Sequence, residues 1–548
     1  FIEDTEEPSS TLAPVTADPF LLNDAIEALL SYSLIARDPH VQTLSVHRLI
    51  QVVVRNSLSA KTRRHWMQRA IDIIEAALPE SLERANWPTF ERLLPHALIC
   101  VTWIKQAAFT TTEAFRLVKQ AGLYLNARAS YRDAESLLRH VLVLCEQRLG
   151  IDHLDTAIYR NALAMNAVNQ GKYSQAEPLL VSVLVLSEQQ LGAMHPETIQ
   201  RRNTLVELYR VQGKFAEAEP LLEKMCIPRE DLVKDDIPHM INSLTNLALL
   251  YWDQLKFDKV GSLRERALVL YEHLPPETDH LHQAIILTNL AMLFLNQGED
   301  TQAETFFQRT FAIVEELFAT NHIFTAISLN NLAELYSIQG KDDEAELVYQ
   351  QALALCKRLS GVDHPHTALC LNNLAGFFVR QGKLTKAEPL YHQALTIREQ
   401  RLEPMHPDVA QSLNNLAVVF MHQGKYIEAE PLLERMCTIF EYQYGSQHFY
   451  TALCFNNLAE LYHMQGKFAK AELLHRRVLD LYERPLGNKH PYTILSRDIL
   501  TRFIESWRRF TEGEPSSLSP QMLIIREQQW GPIIEARIRA LTTWLCFI

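Results

Sequence analysis

The sequence predicts an all-α solenoid of about nine stacked helical hairpins, and three observations lead there. The tripeptide Gln-Gly-Lys, or a close variant, returns at Gln170, Gln212, Gln254, Gln297, Gln339, Gln381, Gln423 and Gln465, always 42 residues apart except for one interval of 43. Each mark lies between two apolar stretches of helical length. A small side chain keeps a common register through Ala134, Ala176, Ala218, Val260, Ala303, Ala345, Ala387, Ala429 and Ala471.

The unit is clearest around His406. Over 407–422 the apolar residues Val409, Leu413, Leu416, Ala417 and Phe420 recur at the three-and-four spacing of one helix face, which makes this helix A of a pair. Gly424 gives the backbone freedom a helix end needs. Helix B follows over 426–442, with Glu428 and Glu430 near its positive N-terminal end. The small residue of helix B, and Leu205, Leu247, Leu290, Leu332, Leu374, Leu416 and Leu458 on helix A, are packing positions. Hairpins of this kind bury their apolar faces only by stacking, which predicts a superhelix with an extended concave wall. Over residues 121–492 motif and period together resemble the long-repeat tetratricopeptide arrays of kinesin light chains. The resemblance implies a scaffold that binds an extended peptide or a partner protein. The heptad coiled coil that joins kinesin light chains to their motor is missing, so a motor-cargo role is not favoured.

In chain order, residues 1–18 have the polar, proline-containing composition of a linker. Residues 25–33 suit an amphipathic helix, residues 33–37 and 43–46 short strands about the turn Asp38-Pro39-His40, and His47 opens another helix. That order, helix, β-wing, helix, predicts a small winged-helix-like segment over 19–60. The stretch through Val46-His47-Arg48 resembles the winged-helix tail of STAND-type signalling ATPases of the NB-ARC class, in which a Met-His-Asp motif senses bound ADP. Only His47 carries over, as a nucleotide-sensing candidate; Arg48 replaces the aspartate, and the plainer account is a structural histidine. Residues 61–120 read as bridging helices, with Trp66, Ile71, Ile74 and Ala77 on one stripe and Trp87, Phe90, Leu93, Leu94 and Leu98 on another. Past the array, 493–548 reads as capping helices over 494–510 and 522–548.

Composition narrows the function. A net charge of -12 argues against nucleic acid as the main partner. Eight cysteines without metal-binding spacing, no apolar run of membrane-spanning length and no signal sequence point to reduced core thiols in a cytoplasmic protein with no membrane partner. No phosphate-binding loop, nucleophile elbow, zinc motif or dinucleotide fingerprint is present, so the chain reads as a non-enzyme without cofactor or metal. A chain that begins at Phe1 suggests a piece of something longer, and the ATPase domain that the resemblance implies, with its ADP or ATP, would lie upstream in the same polypeptide.

The candidate ligand-binding residues follow from the repeat. The position fifteen residues before the small helix B residue faces the concave groove in tetratricopeptide hairpins; here it holds Asn161, Asn203, Asn330, Asn372, Asn414 and Asn456, with Thr245 and Thr288 between. An asparagine row can pair with the backbone of an extended peptide. Further along the groove lie Glu334 and Glu460, then Arg380, His422 and His463. The plainer account is that the asparagines tie hairpins together, the expectation held for Asn331, Asn373, Asn415 and Asn457. The recurring histidines, several before proline, read as helix-start and loop-packing elements rather than metal ligands, and the glutamates after the small residue as surface ion-pair partners. Residues 225–257 break the pattern: Pro228 should end its helix early, Leu255 replaces a glycine, and a hinge between two lobes is expected there. Two functions remain: the ligand-sensing repeat domain of a STAND-type ATPase, or a constitutive adaptor without a nucleotide switch.

Overall fold

The computed structural model describes residues 56–511, less 80–85, 108, 110, 227–235, 255, 276–277, 319–322, 447 and 489–490, together with residues 35–38, 43–46 and a few isolated positions before 54. The expected linker, His47, Pro228 and the helix expected over 522–548 lie outside the described residues.

Contacts divide the chain into two units, one of residues 1–77 and 96–114, the other of 78–95 and 115–548. In the first, strands β1 (Ile35–Asp38) and β2 (Thr43–Val46) pair antiparallel, Ile35 opposite Val46 and Asp38 opposite Thr43. A hairpin alone does not make a winged helix, and the flanking helices fall largely outside the described residues. Helix α1 (Ala60–Ala77) buries Ile71 and is tied to 96–114 by Arg64 Nη1 donating to the Ala107 carbonyl at 2.8 Å and Gln68 Nε2 to Thr111 Oγ1 at 3.1 Å. Helix α2 (Trp87–Ala107) carries Pro95 at the division between the units.

The second unit is the solenoid. Its A and B helices alternate: α3 (Thr112–Ala127) and α4 (Tyr131–Leu149), α5 (Leu154–Asn169) and α6 (Tyr173–Gln190), α7 (Pro196–Val211) and α8 (Phe215–Glu223), α9 (Ile237–Asp253) and α10 (Phe257–Glu272), α11 (His280–Asn296) and α12 (Asp300–Phe318), α13 (Ile323–Ile338) and α14 (Asp342–Leu359), α15 (Pro365–Arg380) and α16 (Leu384–Arg401), α17 (Pro407–His422) and α18 (Tyr426–Tyr444), α19 (Phe449–Met464) and α20 (Phe468–Leu486). Helix α21 (Pro491–Thr511) follows and lays Phe503 and Trp507 against Phe468, covering the last apolar face.

The Gln-Gly-Lys mark has a physical reason. Its glycine sits at positive φ, +71° at Gly171 and +74° at Gly424, which turns the chain between A and B. Its glutamine and lysine then meet the glutamate of the preceding helix B. Gln465 Nε2 donates to Glu430 at 2.9 Å and Lys467 Nζ at 2.8 Å; Gln170 and Lys172 reach Glu135 at 3.1 and 2.9 Å. Burial alone would push the Glu135 carboxyl up, but Arg139, Lys172 and Gln170 outweigh it and hold it down to about 2. The ladder inverts once, at the interval of 43. There Gly261 stands where the glutamate should, Glu299 where the lysine should, and Arg264 supplies the cation to both Gln297 and Glu299.

At the expected hinge, α8 stops at Glu223, ahead of Pro228, yet the apolar core continues through Leu222, Cys226, Ile237, Ile241 and Leu250. Tyr251 donates to Glu223 at 2.9 Å, Lys256 reaches Glu219 at 3.0 Å and Arg266 binds the Cys226 carbonyl at 2.7 Å. The stack is thus bonded across the irregular stretch, because the ladder residues persist where the helix does not.

Candidate functional site

The paired asparagines of the A helices form rows along the stack. Asn415 Nδ2 on α17 donates to Asn372 Oδ1 on α15 at 3.0 Å, and Asn457 Nδ2 on α19 donates to Asn414 Oδ1 on α17 at 2.6 Å. In the irregular middle, Asn289 reaches Thr245 Oγ1 at 3.4 Å. The second asparagine of a pair therefore turns toward the preceding helix, and the first accepts from the next. Asn330, Asn372 and Asn456 are buried, whereas Asn161, Asn203 and Asn414 are half-buried. The Oδ1 atoms of Asn161 and Asn330 are buried without a hydrogen-bond partner.

The charged groove candidates divide. Glu334 and Arg380 are brought together: Arg380 Nη2 lies 3.1 Å from Glu334 Oε2 and 2.9 Å from Ser337 Oγ, while Tyr349 also donates to Glu334. The pair neutralises itself between neighbouring A helices. His463 packs edge-on against Phe503 of the capping helix, ring centroids 5.3 Å apart, and burial holds its pKa below the usual value although Glu460 acts the other way. His422 is half-buried at the end of α17, one position before Gln423.

Sequence reasoning missed a second feature. The early hairpins touch the late ones, at a separation of 237 residues: His364 Nε2 donates to the Ala127 carbonyl at 3.1 Å, and His406 bonds the backbone of Asn169. One repeat on, the His448 ring fills the space beside Gly213, where a Cβ would come 1.9 Å from Nε2. Each of these histidines uses its other nitrogen as a helix cap. Nδ1 of His364, His406 and His448 accepts from the backbone N–H two residues on, at 3.1, 3.0 and 3.1 Å. Accepting at Nδ1 while Nε2 donates requires the neutral ring. Burial lowers the pKa of both His364 and His406; His366, Arg401 and Arg128 add to this at His364. The starts of α15, α17 and α19 are thus covered by early turns, a contact that the repeat alone does not predict.

Where the two segments meet they line a half-open cavity of ≈ 150 Å³. One wall is Tyr131 and Tyr173 with Val168, Asn169 and Val211; the other repeats in register, with His366, Asp408 and Tyr450 in one slot and Leu369, Gln411 and Leu453 in the next. Arg398 borders it, 1% exposed, its Nη1 donating to the Asp408 carbonyl at 2.8 Å, Ser412 Oγ at 2.8 Å and Gln411 Oε1 at 3.2 Å. The His366 Nδ1 is buried without a hydrogen-bond partner, and burial lowers this ring's pKa to about 4. The signal for this site was Arg398 and Tyr444 in slots that elsewhere hold Cys356 or Leu149.

Among the described residues no group of three metal-ligating side chains comes together and no helix is long and apolar enough to cross a membrane. Residues 3–63 match a family model described as a domain of unknown function, DUF7779. Among solved structures, BtubC from P. vanneervenii is 23% identical over 45% of this chain and 92% of its own, with a TM-score of 0.32. A Rap protein complexed with competence and sporulation factor is 13% identical over 64% of this chain and 98% of its own, TM-score 0.40. A signal transduction ATPase with numerous domains and a tetratricopeptide repeat sensor, from Pyrococcus horikoshii, is 13% identical over 91% of this chain and 68% of its own, TM-score 0.40. No curated protein matches the chain. Tetratricopeptide-repeat family models match residues 120–197 and, in overlapping copies, 239–484, so the solenoid is an array of tetratricopeptide repeats, a protein-interaction module.

Proposed function

We propose that the array is the ligand-sensing repeat domain of a STAND-type signalling ATPase and takes a peptide or protein along the asparagine rows, with Asn161, Asn203, Asn330, Asn372, Asn414 and Asn456 as backbone partners. The observation that carries the groove is the hydrogen bonding between rows: Asn415 on Asn372 and Asn457 on Asn414 fix the amide planes before any ligand arrives. Pre-set donors and acceptors lose less entropy on binding. The motive for a switch is the Val46-His47-Arg48 triplet, and the reading places ADP or ATP in an upstream ATPase domain, with His47 as its sensor. The contacts of His364 and His406 with the early turns favour a second reading, a constitutive adaptor without moving parts.

The test compares proteins captured from host lysate by this chain and by a variant with Asn330, Asn372, Asn414 and Asn456 changed to Ala. Partners that vanish with the asparagines support the groove; identical captures refute it. A captured partner is then added to the full-length protein. Stimulated ATP hydrolysis supports the sensor, and an unchanged rate supports the adaptor.

A further inference from the structure

The cavity between the early and late repeats has room for one large side chain. At ≈ 150 Å³ it matches a space that holds a benzene-sized group. Its walls are mainly apolar and aromatic, with Tyr131 and Tyr173 facing Leu369, Met436, Tyr444 and Leu453. A small polar set, His366, Asp408, Gln411 and Asn414, sits among them. Asn414 lines the cavity and also belongs to the asparagine row, so the cavity adjoins the path of a peptide lying on that row.

We propose that this cavity receives a single aryl or branched-alkyl side chain of the bound peptide, as its anchor, an inference that rests on the groove reading. The anchor touches both segments at once, Tyr131 and Tyr173 from the early hairpins and Leu369 and Leu453 from the late ones. Occupancy therefore tightens the contact between repeats 237 residues apart, which gives the array a way to report that its groove is filled.

The test uses the whole chain. Random displayed peptides are selected on it, then measured against wild type, Leu369→Trp, Leu453→Trp and the fourfold asparagine-to-alanine variant, with each variant's melting curve recorded. The expected result is one shared aromatic or branched residue in the selected peptides. Its replacement by alanine, or either cavity-filling variant that melts like wild type, weakens binding at least about tenfold. Should both filled variants melt early, competition decides: N-acetyl-4-fluorophenylalanine amide, followed by fluorine NMR, must be displaced by the selected peptides, and no displacement overturns the proposal. Peptides that need the four asparagines yet share no apolar residue and bind the filled variants unchanged overturn the cavity and leave the groove standing. If no peptide is selected, both readings fall.

Discussion

Replacing Gly213 by alanine tests the contact between early and late repeats, because the structure supplies its own control. Gly213 and Gly424 occupy the same turn at φ +66° and +74°, so alanine at either one meets the same left-handed strain, roughly 1 kcal/mol. At Gly424 the added methyl meets nothing within 4 Å; at Gly213 it comes 1.9 Å from His448 Nε2. The ring cannot swing away cheaply. Its Nδ1 caps α19 through the Tyr450 N–H at 3.1 Å, and it stacks on Tyr444 and Tyr450 with centroids 4.8 and 5.3 Å away. Losing a cap amounts to about 1 kcal/mol and a stacked pair to about 0.5–1.5 kcal/mol, so Gly213→Ala should exceed Gly424→Ala by roughly 2 kcal/mol. Repeat arrays need not unfold in one step, which makes local hydrogen exchange the better assay. The expected outcome is faster exchange around residues 209–215 and 448–455 in Gly213→Ala alone. Equal exchange in the two variants would refute the claim that these segments touch.

Four further outcomes are expected. His364 and His406 have folded pKa values below the ordinary value, so the unfolded chain binds more protons near pH 6 and the contact with Ala127 and Asn169 should weaken as pH falls through about 6.5, read by hydrogen exchange at pH 7 and pH 5. Glu135 behaves oppositely: its depressed pKa contributes stability above about pH 4.3 that is lost toward pH 2, and Glu135→Gln should flatten the stability-versus-pH curve in that window. Gly261→Ala, in the interior of α10 with nothing within 4 Å of the new methyl, should stabilise by about 1 kcal/mol in thermal melts. Ala129 takes the turn position at φ 56° where later repeats carry glycine, and Ala129→Gly should stabilise by up to about 1 kcal/mol in thermal melts.

The hairpins were legible because their determinants are local. Val409, Leu413, Leu416 and Phe420 define a face within one helix, and the expected span of 407–422 coincides with α17. The ladder glutamates could be assigned as ion-pair partners for the same reason, since a fixed offset to the next mark is itself part of the period. The groove rows were legible in part: the sequence put Asn372 in register with Asn414 and expected Asn415 to tie hairpins together, but did not show that Asn372 is the group that accepts from it. What stayed hidden has one cause. Ala127 and His364 are 237 residues apart, which is no multiple of the repeat, so periodicity cannot say which turns meet. Arg398 and Tyr444 broke the consensus in view, yet a broken consensus names a site only once its opposite wall is known.

The histidines sharpen that point. His153, His195, His364 and His406 all cap an A helix through Nδ1 by the same local rule. Yet His153 is exposed, whereas His364 and His406 are buried beneath the turns of Ala127 and of Asn169-Gln170-Gly171. The cap alone cannot distinguish them. Docking depends on what the opposite turn allows: Gly171 and Gly213 leave no side chain in the way, and His406 and His448 stand in the space that a Cβ would need. A residue selected once for ending a loop is thus used again where the stack meets itself, and there the rings of His364 and His406 also bond the backbone of Ala127 and Asn169. Glycine at 171 and 213 is required twice over, for the turn and for the approach, while Gly424 and Gly466 answer only to the turn.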